Sequence, residues 1–221
     1  IRKIADTIEL DRFGGYVLAF NGGRIVDYST GEKVYQAVLD NDVVRGIYDY
    51  CLKAGCGMVT YDGDRVITGT DVDGYMTFEA SINHMEIMRI DNFREYIDFP
   101  LNKCLLTADP DKAEKIEQEL AEKFGDQLNI FRSEPYFVEI MPPNVHKATS
   151  LEKLLEVLDM DRKDLVACGD GYNDLTMIEY AGVGVAMANA QDIVKEHADY
   201  ITLSNDEDGL VPVVDKFILA D

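Results

Sequence analysis

The stretch Leu165-Val166-Ala167-Cys168-Gly169-Asp170-Gly171-Tyr172-Asn173-Asp174 decides the fold. A short apolar run that ends in glycine reads as a buried parallel strand. In open α/β sheets, ligands bind just beyond the carboxyl ends of such strands, and Asp170 falls at that place. Gly169 and Gly171 let the chain turn sharply, and Asn173 and Asp174 open a following helix over 175–180. The spacing therefore brings Asp170 and Asp174 to one strand tip. Two hard carboxylates with no histidine or thiol beside them suit Mg²⁺, which keeps several waters and completes its shell with substrate phosphate. Helix capping would account for Asn173 or Asp174 equally well, but not for an acid on the strand end.

Around this loop the grammar is regular. Helix over 150–158, strand over 165–168, helix, strand over 183–186, helix over 192–197, strand over 200–203 and helix over 210–219 alternate as in a doubly wound α/β sheet with parallel strands. The middle of the chain is different. A helix carrying Val43, Val44, Ile47, Tyr48, Cys51 and Leu52 on one face leads into strands over 58–61 and 65–68, joined through Asp62-Gly63, a hairpin signal. Further on, strands over 103–107, 129–131 and 136–140 and a helix over 113–124 predict an α+β module, closed by Pro142-Pro143. At the N-terminus, Ile1, Ile4, Ala5 and Ile8 recur at helical spacing. A buried strand over 16–20 ends in Asn21-Gly22-Gly23, a turn whose backbone N–H groups suit an anion and which also serves a hairpin into 24–27.

Composition bounds the function. The 221 residues carry 21 basic and 42 acidic side chains, a formal net charge of −21, which disfavours nucleic acid and anionic membranes as partners. No apolar run is long enough to cross a bilayer and no signal-peptide pattern is present. Cys51, Cys56, Cys104 and Cys168 lack C-x-x-C spacing and read as reduced core thiols, so a cytoplasmic location is expected. His84, His146 and His197 are too far apart to suggest a zinc site, although His146 stands beside Lys147.

Four motifs in order carry a resemblance: Lys147 shortly before a helix, Gly169-Asp170-x-x-Asn173-Asp174, Gly184-Val185-Ala186-Met187-x-Asn189-Ala190, and Ser204-Asn205-x-Glu207-Asp208-Gly209. Together they resemble the haloacid dehalogenase superfamily, and within it the Cof-type sugar phosphatases, whose α/β core bears a large inserted cap. The likeness implies a doubly wound core over 1–38 and 143–221, an α+β cap over 39–142 that closes over substrate, and a Mg²⁺-dependent phosphomonoesterase that works through a phosphoaspartyl intermediate on small phosphorylated metabolites, with sugar phosphates favoured. It implies that Asp170 binds Mg²⁺ directly and Asp174 supports it through water. Asn173 and Asn189 would lie near the phosphate, Asn21 and Gly22 would meet the substrate, and Lys147 would steady the nucleophile and the charge on the phosphoryl group. The family usually has glycine after this lysine, where this chain has Ala148.

The family's D-x-D-G-T nucleophile loop does not occur before Tyr16, where it belongs. The expectation is that this sequence is N-terminally incomplete, lacking a βαβ unit with the central core strands, and is inactive alone. The alternative is a short form without catalysis that binds a phosphometabolite or a protein. Asp71-Val72-Asp73-Gly74 imitates the missing loop, but Gly69 and Thr70 separate it from the preceding strand and it falls inside the cap. It also fails as a calcium loop, because the ligand positions around Gly74 are wrong. A dinucleotide-binding reading fails because Gly182-x-Gly184 precedes a strand.

Overall fold

The computed structural model describes residues 1–219. The chain forms two compact units, Ile1–Tyr35 with Val145–Asp221, and Gln36–Asn144. The architecture is α/β, with one parallel sheet and two sheets containing antiparallel pairs.

The first unit opens with two short helices, α1 (Arg2–Thr7) and α2 (Leu10–Phe13). They lead to a three-stranded sheet of β1 (Tyr16–Ala19), β2 (Arg24–Asp27) and β3 (Lys33–Gln36) in that order. β1 and β2 pair antiparallel, with Leu18 opposite Ile25, through a tight turn over Phe20–Gly22 in which Phe20, Asn21 and Gly22 all have positive φ. The sequence predicts a buried strand here, yet β1 is only half-buried. Its Tyr16, Val17 and Leu18 line an open apolar cleft with Ile1, Ile4 and Ile8. The helical stripe accordingly buries Ala5 but leaves Ile1, Ile4 and Ile8 more than half exposed.

The second unit begins with α3 (Asn41–Ala54), N-capped by the Asp40 carboxylate on the Asp42 amide at 2.7 Å. Next come β4 (Gly57–Asp62), β5 (Arg65–Thr68), α4 (Gly74–Ile82), β6 (Glu86–Arg89), α5 (Phe93–Tyr96), β7 (Cys104–Thr107), α6 (Pro110–Phe124), β8 (Asn129–Glu134) and β9 (Phe137–Met141). These strands make one six-stranded sheet in the order β6-β5-β4-β7-β9-β8. Only β5 and β6 pair parallel. The β4–β5 loop is Gly63-Asp64, because Asp62 pairs with Arg65, one residue later than the sequence signal suggests. Glycine is needed there, since Gly63 has φ +59°.

Side chains alternate across this sheet with the period of a strand. On one face Met58, Ile67, Leu106, Val138 and Ile140 pack with Val44 and Ile47 of α3 and with Ile116 and Leu120 of α6. On the other, Val59, Val66, Leu105 and Phe137 pack with Met76 and Ala80 of α4. Leu52 leaves the expected stripe of α3 and is exposed, because it lies around the helix from Val44, Ile47 and Cys51.

The chain then returns to the first unit with α7 (Lys147–Leu158), β10 (Val166–Gly169), α8 (Leu175–Tyr180), β11 (Val183–Ala186), α9 (Asp192–His197), β12 (Tyr200–Ile201) and α10 (Val211–Phe217). β10, β11 and β12 are parallel neighbours, as their alternation with helices predicts. Gly184 allows α8 to lie close against β11, since a Cβ there would meet the Ile178 carbonyl oxygen at 2.3 Å. Among the described residues β10 pairs with β11 alone and has a free edge. Cys168, expected in the core, is therefore only partly buried. No helix among the described residues is long and apolar enough to cross a membrane.

Candidate active site

The carboxyl ends of the parallel strands carry the acidic loop, and its shape is set by one side chain. Asp174 is 5% exposed. Its Oδ2 accepts the backbone N–H groups of Asp170 and Gly171, both at 2.9 Å, while its own N–H donates to the Gly171 carbonyl at 2.9 Å. Oδ1 accepts from Lys147 Nζ in an ion pair. The carboxylate lies directly over Gly169, where a Cβ would come within 2.9 Å of three Asp174 side-chain atoms. Glycine at the strand end is thus a steric requirement of the loop.

Burial pushes the Asp174 carboxyl up, but the Lys147 hydrogen bond, the Gly171 and Asp170 amides and the Lys147 charge together hold it below the usual aspartate value. It is an anion whose capacity is spent on bracing the loop and the lysine. Lys147 is brought there by α7, whose first residue it is. The helix starts three residues before the expected 150, because His146 serves as its N-cap: the ring Nδ1 accepts from the Thr149 amide at 3.3 Å, and Thr149 Oγ1 accepts from the His146 amide at 3.2 Å. Histidine is not a favoured cap, so the pattern offered no signal for this role.

Asp170, by contrast, is exposed. Its Oδ2 accepts from Asn189 Nδ2 at 3.0 Å, and Oδ1 carries no hydrogen bond among the described residues. Asn189 is itself oriented, since its Oδ1 accepts the Asn205 amide at 3.1 Å. The backbone is tied in the same way: the Gln191 amide donates to the Asp170 carbonyl at 2.9 Å and the Met187 amide to the Gly169 carbonyl at 3.0 Å. Asn173 Nδ2 approaches Asn21 Oδ1 at 3.4 Å, which joins the β1–β2 turn to the acidic loop. Gly22, with φ +96°, packs on α7, and a Cβ there would meet Ser150 Cβ at 2.4 Å. Lys147, Asp170, Asn173, Asp174, Asn189, Asn21 and Gly22 therefore gather in one unit. The bracing by Asn205 and His146 is what the sequence reading lacked.

As a donor set, the exposed carboxylate of Asp170 suits a hard divalent cation that keeps most of its waters, and among the described residues no cluster of three acidic, histidine or cysteine side chains surrounds it. The Lys147 ammonium, 30% exposed at its side chain, and the Asn173 and Asn189 amides are the groups available to an anion.

The arrangement defines an α/β protein with an acidic, lysine-braced loop at the carboxyl end of a parallel sheet. The profile of the haloacid dehalogenase-like hydrolases matches residues 1–214, and the chain belongs to that family. It is 41% identical over 218 residues to the 5-amino-6-(5-phospho-D-ribitylamino)uracil phosphatase YcsE of Bacillus subtilis, with 99% of this chain and 77% of that protein covered. To the phosphatase of the same description, YbjI, from Escherichia coli it is 27% identical over 202 residues, covering 91% of this chain and 73% of that one. A crystal structure of a haloacid dehalogenase-like hydrolase from Bacteroides thetaiotaomicron superposes with a TM-score of 0.93 at 42% identity, covering 99% of this chain and 82% of that chain.

Proposed function

We propose that this chain belongs to a Mg²⁺-dependent phosphatase of small phosphorylated metabolites, in which Asp170 is the direct metal ligand. The observation that carries the reading is the division of labour between the two acids. Asp174 is committed to Lys147 and to two backbone amides, whereas Asp170 presents a free oxygen held in place by Asn189. A bound Mg²⁺ would neutralise phosphate charge and polarise the phosphorus–oxygen bond. Lys147 would place a second cation beside the transferring phosphoryl group, and Asn173 and Asn189 would orient its oxygens. Asn21 and Gly22 would face the substrate from the β1–β2 turn.

The nucleophile in this reading is an aspartate outside the 221 residues, delivered by a strand that pairs with the free edge of β10. A parallel strand at that edge would bring its carboxyl end beside Asp170, where the phosphoryl group must be attacked. The 221-residue chain alone would then release no phosphate. Sugar and sugar-alcohol phosphates are the proposed substrate class, supported by the ribitylaminouracil phosphatases among the relatives. The protein would act in the cytoplasm, in keeping with its free thiols.

Phosphate release from a panel of sugar phosphates, including 5-amino-6-(5-phospho-D-ribitylamino)uracil, should require Mg²⁺ in the enzyme that carries this chain. Asp170→Ala should lower it by about a hundredfold or more. Hydrolysis that survives chelation, or an active Asp170→Ala enzyme, overturns the assignment. A second reading is a non-catalytic module that binds a phosphometabolite. Calorimetric binding of such a compound with no turnover in the native full-length protein would select it.

A further inference from the structure

Two of the four cysteines meet at the end of α3. Gly55 adopts φ +65° and its N–H returns to the Cys51 carbonyl, and the Cys56 N–H bonds to the same carbonyl at 3.1 Å. This helix stop folds residue 56 back onto residue 51, the pair of positions that usually make an apolar contact in such a motif. Here both are cysteine, and both belong to the core cluster on this side of the sheet. Their surroundings differ. Cys51 is fully buried in the core between α3 and the sheet. Cys56, 7% exposed, lines a polar cleft of about 220 Å³ together with Asp73, Thr107, Ala108 and Lys112. Lys112 Nζ is anchored 2.8 Å from the Gly55 carbonyl, one residue from the thiol.

We propose that Cys51 and Cys56 are a reversible dithiol–disulfide pair, in which Cys56 is oxidised by a hydroperoxide entering the cleft and Cys51 resolves the product. The geometry supplies what each step needs: an approach to one thiol from the cleft, an ammonium anchored on the carbonyl of the preceding residue, and a second thiol at the facing position of the helix stop. The neighbouring Cys51 thiol lowers the Cys56 thiol against the opposing effect of burial, the Lys112 charge adds to the lowering and the Asp73 carboxylate opposes it, and the balance favours the thiolate. At Cys104 burial outweighs the Thr60 hydrogen bond and the Lys103 charge and pushes the thiol up to about 12.

In the first step the Cys56 thiolate attacks the peroxide oxygen, the O–O bond breaks, and hydroxide leaves, giving a sulfenic acid. In the second, the Cys51 sulfur attacks the sulfenyl sulfur, the S–O bond breaks, and the thiol proton leaves with the hydroxyl as water. Two thiol sulfurs are oxidised and one peroxide is reduced to water and hydroxide. The new bond would pin the C-terminus of α3 to the start of β4.

The test needs no variant for its decisive readout. The reduced full-length protein that carries this chain is exposed to hydrogen peroxide, free thiols are blocked with iodoacetamide, and the protein is digested with trypsin. Lys53 separates the two cysteines into peptides 46–53 and 54–65. The expected product is these two peptides joined, two hydrogens lighter than their sum, lost on treatment with dithiothreitol, while Cys104 and Cys168 remain alkylated. Before oxidation, Cys56 should alkylate about tenfold faster than Cys104 in the folded protein. In Cys51→Ser the reaction should stop at a sulfenic acid on Cys56 that dimedone traps. Oxidation of Cys104 or Cys168 ahead of Cys56, a link through Cys104, or conversion of wild-type Cys56 to sulfinic acid with no link each overturns the proposal.

Discussion

Replacing Asp174 by alanine removes the brace of the acidic loop, and the structure allows its cost to be worked out. Two N–H groups, those of Asp170 and Gly171, lose an acceptor at 2.9 Å, and Lys147 loses its counter-ion. Breaking a buried ionic pair from one side costs about 3–5 kcal/mol. Lys147 keeps 30% of its side chain in water and recovers part of its hydration, which points to the lower end, about 3 kcal/mol. Asp174→Asn keeps the shape and one carbonyl oxygen, which can serve either the two amides or Lys147 but not both, so about 2 kcal/mol is expected. Urea unfolding followed by circular dichroism measures the loss, and hydrogen exchange at the Asp170 and Gly171 amides localises it, since both should lose protection in the alanine variant. The sign of the pH effect follows from the lowered pKa of Asp174 in the folded protein. Its contribution is complete above the unfolded value of about 3.9 and disappears as pH falls through the folded value, so the acid limb of the stability curve should be shallower in Asp174→Asn. An alanine variant within about 0.5 kcal/mol of wild type, with both amides still protected, would refute the argument.

Two glycines should respond oppositely to alanine. At Gly184 the new methyl would lie 2.3 Å from the Ile178 carbonyl oxygen, a backbone atom that cannot swing aside, and about 3 kcal/mol of stability should be lost. At Gly46, within α3, nothing lies within 4 Å, and the gain in helix propensity should stabilise the protein by about 0.5–1 kcal/mol, read as a higher urea midpoint. Leu106→Ala, in the fully buried centre of the six-stranded sheet, should cost about 2–5 kcal/mol by the same measurement.

The parts of the fold legible in the sequence are those whose pattern is local. β11 over Val183–Ala186 and α9 over Asp192–His197 agree with the reading to the residue, because an apolar run or a 3.6-residue stripe is complete within the element. α4 and β6 leave no such pattern. Glu86–Arg89 is a short run with charged ends, paired with β5 alone, and α4 mixes apolar residues around its circumference, with Phe78 and Ile82 outside and Met76 and Ala80 inside. The apolar stripe of Ile1, Ile4 and Ile8 was legible as a helix but not as an exposed one, because periodicity states which face is apolar and not what covers it. Similarly, the run that ends at Gly169 reads as a strand buried on both sides, whereas among the described residues β10 pairs on one edge alone and leaves Val166 and Cys168 half-buried.

The candidate site shows the same limit from the other direction. Asp71 and Asp73 stand two apart before Gly74 and look, as letters, like a better paired-acid loop than Asp170 and Asp174. In the fold they diverge. Asp73 caps α4 through the Met76 amide at 2.8 Å and accepts from Thr107 Oγ1, while Asp71 points to solvent beside Arg89 at 3.2 Å. Asp170 and Asp174 converge because the second acid turns back to hold the amides of the first residue and its neighbour, and because Lys147, distant in the chain, arrives on a helix capped by His146. A strand running straight into the first acid was the feature that separated the two loops in the sequence. Its physical content is that the strand end fixes the backbone at Gly169, leaving one geometry in which the Asp174 carboxylate can lie over it. The identity of the site is therefore carried by the glycine and the strand as much as by the acids, and the long-range partners, which leave no local pattern, complete it.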